Sequence, residues 1–210
     1  ETELIKANPD SYVSTFVIVS SMGQMEYEQL KERYNLLGEK AKASAQGKAI
    51  AAQIDKLEST AIGQIAPNFT ITTPEGESIS LYDIKGKVKL IDFWASWCDP
   101  QPEANAELKR LNKEYKKNKN FAMLGISLDI DREAWETAIK KDTLSWDQVC
   151  DFTGLSSETA KQYAILTLPT NILLSPTGKI LARDIQGEAL TDKLKELLKT
   201  EEKKPGKSIR

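Results

Sequence analysis

Val88-Lys89-Leu90-Ile91-Asp92-Phe93-Trp94 runs into Ala95-Ser96-Trp97-Cys98-Asp99-Pro100-Gln101-Pro102. The first seven residues barely alternate between apolar and polar, the pattern of a strand buried on both faces. The break after them contains two prolines, which suit the first turn of a helix, where no N–H is needed. Residues from about Glu103 to Lys116 then follow helical spacing, with Leu108, Leu111 and Tyr115 inward. Cys98 is therefore expected between a strand end and a helix start, where ligands and chemistry gather in α/β sheets. Backbone N–H groups and the positive end of the helix dipole favour thiolate there, and thiolate is the nucleophile of disulfide exchange. Trp97 offers a flat apolar surface beside it. The competing reading makes Cys98 a small inert core residue; the strand–Cys–Pro–helix setting argues against it.

Toward the C-terminus the pattern continues with a strand at Phe121 to Leu128 and a helix at Asp131 to Lys141. A short strand at Gln148-Val149-Cys150 and a helix at Ser156 to Tyr163 come next. Pro169 to Leu174 reads as a strand, Ser175-Pro176-Thr177-Gly178 as a turn, and Lys179 to Ile185 as its antiparallel partner. A helix from Leu190 to Leu198 closes the series. This order predicts an α/β fold, a mostly parallel sheet flanked by helices with one antiparallel edge pair. Residues 201–210 read as a charged, flexible tail.

Toward the N-terminus, Pro67 to Thr72 and Ser78 to Leu81 form a hairpin around a turn at Pro74-Glu75-Gly76-Glu77. Residues 1–61 carry helical periodicity. Helices are expected from Asn8-Pro9-Asp10-Ser11 onward, near Met25 to Leu37 with a stop at Gly38, and from about Ala43 to Leu57. This segment is too thin for a large core of its own. It reads as the end of a truncated upstream region or a helical layer on the next domain, which spans residues 62–200. The chain opens at Glu1 without an initiator Met or signal peptide, which leaves room for a removed signal or a missing N-terminal membrane anchor.

Composition narrows the chemistry. The apolar fraction of 40% and charged fraction of 29% are those of an ordinary globular protein. A net charge of −2 carries no electrostatic footprint for nucleic acid. The chain has no histidine, which removes His-based general bases, Cys–His pairs and most zinc sites. Phosphate-binding glycine loops are absent. No cofactor and no metal are expected. The basic run at Lys109-Arg110 and Lys113 to Lys119 reads as a solvated helix face. Trp94, Trp135 and Trp146 are expected in the core.

Ile91 to Pro100 resembles the W-C-x-P-C active-site segment of the thioredoxin-like superfamily. The hairpin, the stretch with Trp146 and Asp151, and Leu168-Pro169-Thr170 followed by Ser175 to Lys179 resemble its TlpA/ResA-like thiol–disulfide oxidoreductases, close to the AhpC/TSA-redoxin group. The resemblance covers residues 62 to 200. It implies a thioredoxin-like mixed sheet with an N-terminal hairpin, a cis peptide at Pro169 facing Cys98, and a substrate groove from Trp97, Pro100, Gln101, Leu168 and Pro169. Protein or peptide thiols and disulfides would be the partners, in the periplasm or cell envelope of a Gram-negative bacterium. Asp92 matches the buried carboxylate that accepts a proton during exchange. A strand-end aspartate bonded to a loop fits that position equally well.

Two departures from the family pattern bear on activity. The second cysteine of the motif is replaced by Gln101, and the expected glutamate three residues on by Ala104, with Glu103 one place early. Gln101 cannot attack a mixed disulfide, so the motif alone cannot complete a two-electron reduction. The topology that the resemblance implies places Cys150 two strands from the Cys98 strand, about 10 Å away, beyond the roughly 7 Å Cα limit of a disulfide. It reads as a buried thiol. Three functions follow, in order: a monothiol oxidoreductase or isomerase acting through a mixed disulfide at Cys98; a degenerate peptide-binding module; and a one-cysteine peroxidase, in which Ala95 stands where such enzymes carry threonine.

Overall fold

The structure is a computed structural model and describes residues 1–72, 76–98 and 101–199. The turn at Pro74, the residues Asp99 and Pro100, the side chain of Gln101 and the tail 201–210 lie outside the described residues. The helices are α1 (Thr2–Ala7), α2 (Tyr12–Ser21), α3 (Tyr27–Asn35), α4 (Glu39–Ala43), α5 (Ala45–Ser59), α6 (Gln101–Tyr115), α7 (Arg132–Asp142), α8 (Glu158–Gln162) and α9 (Gly187–Lys199). The strands are β1 (Thr70–Thr72), β2 (Ser78–Ser80), β3 (Val88–Trp94), β4 (Phe121–Ser127), β5 (Asp147–Cys150), β6 (Thr170–Leu174) and β7 (Ile180–Arg183).

The expected hairpin is β1–β2. The remaining strands form one sheet in the order β5-β4-β3-β6-β7. Its mixed thioredoxin-like character is as expected, but the balance differs. β3 runs antiparallel to β6 in the centre as well as β6 to β7 at the edge, so two of the four pairings are antiparallel. The cause is the connection from β5 to β6. A parallel strand needs a crossover that returns to the other end of the sheet. Here the chain makes a short turn of helix and α8, then re-enters from the end at which β5 stopped.

All seven β3 residues are buried, because both sheet faces are covered. On one face Ile91 and Phe93 meet Phe69, Ile71 and Leu81 from the hairpin region and Tyr163 beside α8. On the other, Leu90 and Trp94 meet Leu108 and Leu111 of α6, Trp135 of α7, and Leu190 and Leu194 of α9. Trp94, Trp135 and Trp146 are buried as expected, and Trp97 is 58% exposed.

Residues 1–59 build a third cluster, with Ile5, Ile18, Leu30, Leu37, Ile50 and Ile54 packed together. Its helices differ in detail from the periodicity reading. Thr2–Ala7 and Glu39–Ala43 form extra helices, and the expected third helix is α5, which starts at Ala45 after Ser44. The Ser44 hydroxyl accepts from Gly47 N, a capping bond that starts a new helix. Gly38 does not end α3; it precedes α4 and lies so close to the Asp10 carboxylate that a Cβ there would sit 2.2 Å from Oδ1. Asp10 accepts from Lys40 N and Ala41 N, supplying the α4 cap from the turn between α1 and α2. The helical layer is tied to the sheet by Arg183, which donates to Thr60 O and Oγ1 and to Tyr163 O, and by Gln53 Nε2, which donates to Ala164 O.

Candidate active site

Cys98 lies four residues past β3, half-buried, on a turn in which its N–H donates to Ala95 O at 3.1 Å. Because β6 runs antiparallel to β3, with Phe93 opposite Thr170, the start of β6 lies at the sheet end from which the Cys98 turn leaves. The Leu168–Pro169 peptide there is cis, as the resemblance implied. Leu168 and Pro169 are half-buried and Trp97 is exposed. Of the groove residues named from sequence, Trp97, Leu168 and Pro169 are thus brought to one end of the sheet. Pro100 and the side chain of Gln101 lie outside the described residues.

The turn is fixed by a residue the sequence reading did not single out. Asp129 is 1% exposed, just past β4. Its carboxylate accepts from Ser96 N at 3.0 and 3.2 Å, from Ser96 Oγ at 2.6 Å and from Ser127 Oγ at 2.6 Å. Hydrogen bonds to an ionised acceptor are among the stronger ones a protein makes. Together with Leu128 N donating to Trp94 O, they bind the segment leading to Cys98 to the end of the neighbouring strand. The signal in the sequence is Ser127-Leu128-Asp129, two polar residues on one side of a buried strand's end.

Asp92 is mid-strand and 3% exposed, and no loop residue bonds its carboxyl among the described residues. Burial pushes that carboxyl up to about 8, because desolvation penalises the charged form. The strand-end, loop-bonded reading of Asp92 is therefore not what the fold presents. Cys150 is 2% exposed, on β5. Its sulfur accepts from Phe152 N at 3.3 Å and donates to Asp129 O at 3.5 Å. Burial pushes this thiol up as well. β4 separates β5 from β3, and both cysteines are thiols. No cluster of three or more metal-ligating side chains occurs among the described residues, nor any helix long and apolar enough to cross a membrane.

The family model of the AhpC/TSA family matches residues 62–183. The chain belongs to that family. Among its relatives within and around the family, the thiol-disulfide oxidoreductase ResA of Bacillus thuringiensis subsp. konkukian (strain 97-27) is 36% identical over 146 residues, covering 69% of this chain and 80% of that protein. A solved thiol-disulfide oxidoreductase from Bacteroides fragilis NCTC 9343 is 81% identical, with a TM-score of 0.61 over 64% of this chain and 99% of its own. The C-terminal domain of a protein described as a thiol-disulfide oxidoreductase from Bacteroides thetaiotaomicron is 49% identical, with a TM-score of 0.65 over 68% and 99%. These matches support the thioredoxin-like fold of the family domain.

Proposed function

We propose that the protein is a thiol–disulfide oxidoreductase or isomerase that works through one nucleophile, Cys98. The observation that carries this is the contrast between the two thiols. Cys98 is half-buried on a braced turn at the sheet end where β6 begins, and Cys150 is sealed in the core. The names of the relatives support the reaction class.

In this reading the Cys98 thiolate attacks one sulfur of a substrate disulfide, and the second substrate sulfur leaves as thiolate. The product is a mixed disulfide. Gln101 stands where a dithiol enzyme has its second thiol, so release comes from outside. A substrate thiolate attacks the substrate-side sulfur, regenerates Cys98 and leaves a rearranged disulfide, with no net change in oxidation state. A small thiol attacking the same bond and then a second thiol completes a reduction instead. The resemblance assigns Trp97, Pro100, Gln101, Leu168 and Pro169 to the substrate peptide, and Asp92 accepts the proton the thiol gives up. The substrates are protein or peptide thiols and disulfides. The compartment implied by the family resemblance, the periplasm or cell envelope of a Gram-negative bacterium, goes with this proposal.

The test is the rate of thiol alkylation against pH for the native protein and for Cys98→Ala. One thiol should react in the folded protein, with a midpoint below about 8.5, and the substitution should remove it. Reaction only in denaturant, or with an ordinary midpoint, would instead favour a peptide-binding module without exchange chemistry.

A further inference from the structure

Four residues form one row across the sheet. Asp92 on β3 is in register with Gly125 on β4, and Gly125 with Gln148 on β5. On the other side Asp92 is opposite Asn171 on β6. Directly opposed residues share a face of the sheet, so Asp92 and Asn171 point the same way.

Gln148 reaches into this row. A Cβ on Gly125 would lie 2.0 Å from Gln148 Oε1 and 2.9 Å from Nε2, so the amide lies over the glycine, directed from β5 toward β3. Gly125 sits in a central strand, where glycine has no side chain to pack and marks a close approach. Gln148 Oε1 then accepts from the indole N–H of Trp94 at 3.0 Å, two residues from Asp92 on the same side of β3.

The orientations of both amides are fixed by partners that have only one role. An indole N–H only donates, so the atom of Gln148 that meets Trp94 is oxygen. The Asn171 Nδ2 donates to Ile185 O at 2.9 Å, and a carbonyl only accepts. Each amide is left with one buried polar atom that has no hydrogen-bond partner, the donor Gln148 Nε2 and the acceptor Asn171 Oδ1, as are the indole N–H groups of Trp135 and Trp146. Buried polar groups are nearly always satisfied, and exceptions call for an explanation. Between them in the row lies a buried carboxyl. A protonated carboxyl has one acceptor and one donor to offer, the complement of what the two amides lack.

We propose that Gln148 and Asn171 are positioning residues that close as a cradle on Asp92 when it takes up its proton, forming two bonds that the structure leaves open: Gln148 Nε2 to the carboxyl oxygen, and the carboxyl O–H to Asn171 Oδ1. Gly125 is the gap that lets the Gln148 amide through. The two amides act in opposite senses. A donor favours the charged carboxylate, and an acceptor that needs the O–H favours the neutral acid. Together they set the pH at which Asp92 takes up a proton, which matters for exchange because the proposed role of Asp92 is to take the proton from the thiol. That consequence rests on the exchange reading above; the cradle itself does not. Titratable and charged groups on the elements around Asp92 are Lys89 on β3, Cys98 on the turn, Asp147 and Cys150 on β5, Glu103, Glu107, Lys109, Arg110, Lys113, Glu114 and Tyr115 on α6, Arg132, Glu133, Glu136, Lys140, Lys141 and Asp142 on α7, Arg183 on β7 with Asp184 after it, and Glu188, Asp192, Lys193, Lys195, Glu196 and Lys199 on α9. The upward displacement of Asp92 comes from burial rather than from any of these charges.

The experiment is titration of the Asp92 carboxyl by carbon-detected NMR of the full chain, with Asp92→Asn to assign the signal. Asn171→Leu should lower the midpoint, and Gln148→Met should raise it, each by about one pH unit, the worth of one hydrogen bond. Gly125→Ala leaves both amides in the sequence and displaces only the Gln148 side chain, so it should shift the midpoint in the same direction as Gln148→Met. It also serves if Gln148→Met does not fold. Shifts of opposite sign support the cradle. An unchanged midpoint in the folded variants, or shifts of one sign for both amides, overturns it. Alkylation of Cys98 in the same samples reports separately on exchange chemistry: failure there with opposite shifts intact sinks the exchange reading and leaves the cradle standing.

Discussion

At the residue scale the protein separates two kinds of buried acid. Asp129 is fully supplied with donors, and its carboxylate is a brace. Asp92 is desolvated, and its carboxyl is displaced to about 8, against about 4 in an unfolded chain. Between those values the folded state holds the extra proton, so stability falls as pH rises through that window. Asp92→Asn removes the titrating group. The variant is expected to exceed wild type by about 5 kcal/mol at pH 8, with the difference vanishing below pH 4, in urea unfolding at each pH. A difference independent of pH would show that Asp92 is ionised in the fold. Gln101 is the second informative residue. Gln101→Cys supplies the missing thiol, and insulin reduction should rise by about tenfold or more, since an internal thiolate then resolves the mixed disulfide.

At the element scale the site is the strand β3, its turn and α6, braced from β4. The strand, the break and the helix are legible in sequence because each signal is local: an unbroken apolar run, two prolines, then helical spacing. The Asp129 clamp is not, because it depends on which strand lies beside β3. The same holds for the row through Asp92, Gly125, Gln148 and Asn171, whose members are separated by up to about 80 positions and meet only through register. The antiparallel β3–β6 pairing was equally hidden, since nothing local in Asp151 to Pro169 says at which end the chain returns. Among the N-terminal helices, α4 is not legible because its five residues are too few to show a helical period, while Ser44 marks the start of α5 by capping it. Asp129→Ala removes four acceptor contacts and leaves Ser96 N unsatisfied. The expected loss is about 3 kcal/mol, together with faster hydrogen exchange at Ser96 and Cys98 than in the sheet. Equal protection at both would mean the turn holds itself.

At the scale of the whole molecule, two apolar clusters cover the two faces of the sheet and a third lies within the N-terminal helices. The helical layer of residues 1–59 abuts the segment leading to the cis proline. Thr167 Oγ1 donates to Gly23 O at 3.4 Å, and a Cβ on Gly23 would sit 3.2 Å from Leu166 Cβ. A cavity of about 220 Å³ lies between them, lined by Met22, Met25, Gln53, Leu166, Thr167 and Arg183 among others. Arg183 is the main polar tie across this junction. Arg183→Met leaves Thr60 and Tyr163 carbonyls without their donor. It should cost about 2–3 kcal/mol and raise hydrogen exchange in residues 60–64 and 163–170, with β3 and β4 unchanged. Uniform destabilisation across the chain would mean that layer and sheet unfold as one unit.

The central claim is that Cys98 is the single nucleophile and has no internal resolving partner. Intact-mass spectrometry of the native protein after incubation with excess glutathione disulfide tests it most directly. The account predicts one glutathione adduct, mapped to Cys98, that persists until an external thiol is added. An unmodified native protein, or one that has lost two hydrogens to a Cys98–Cys150 disulfide, would contradict it.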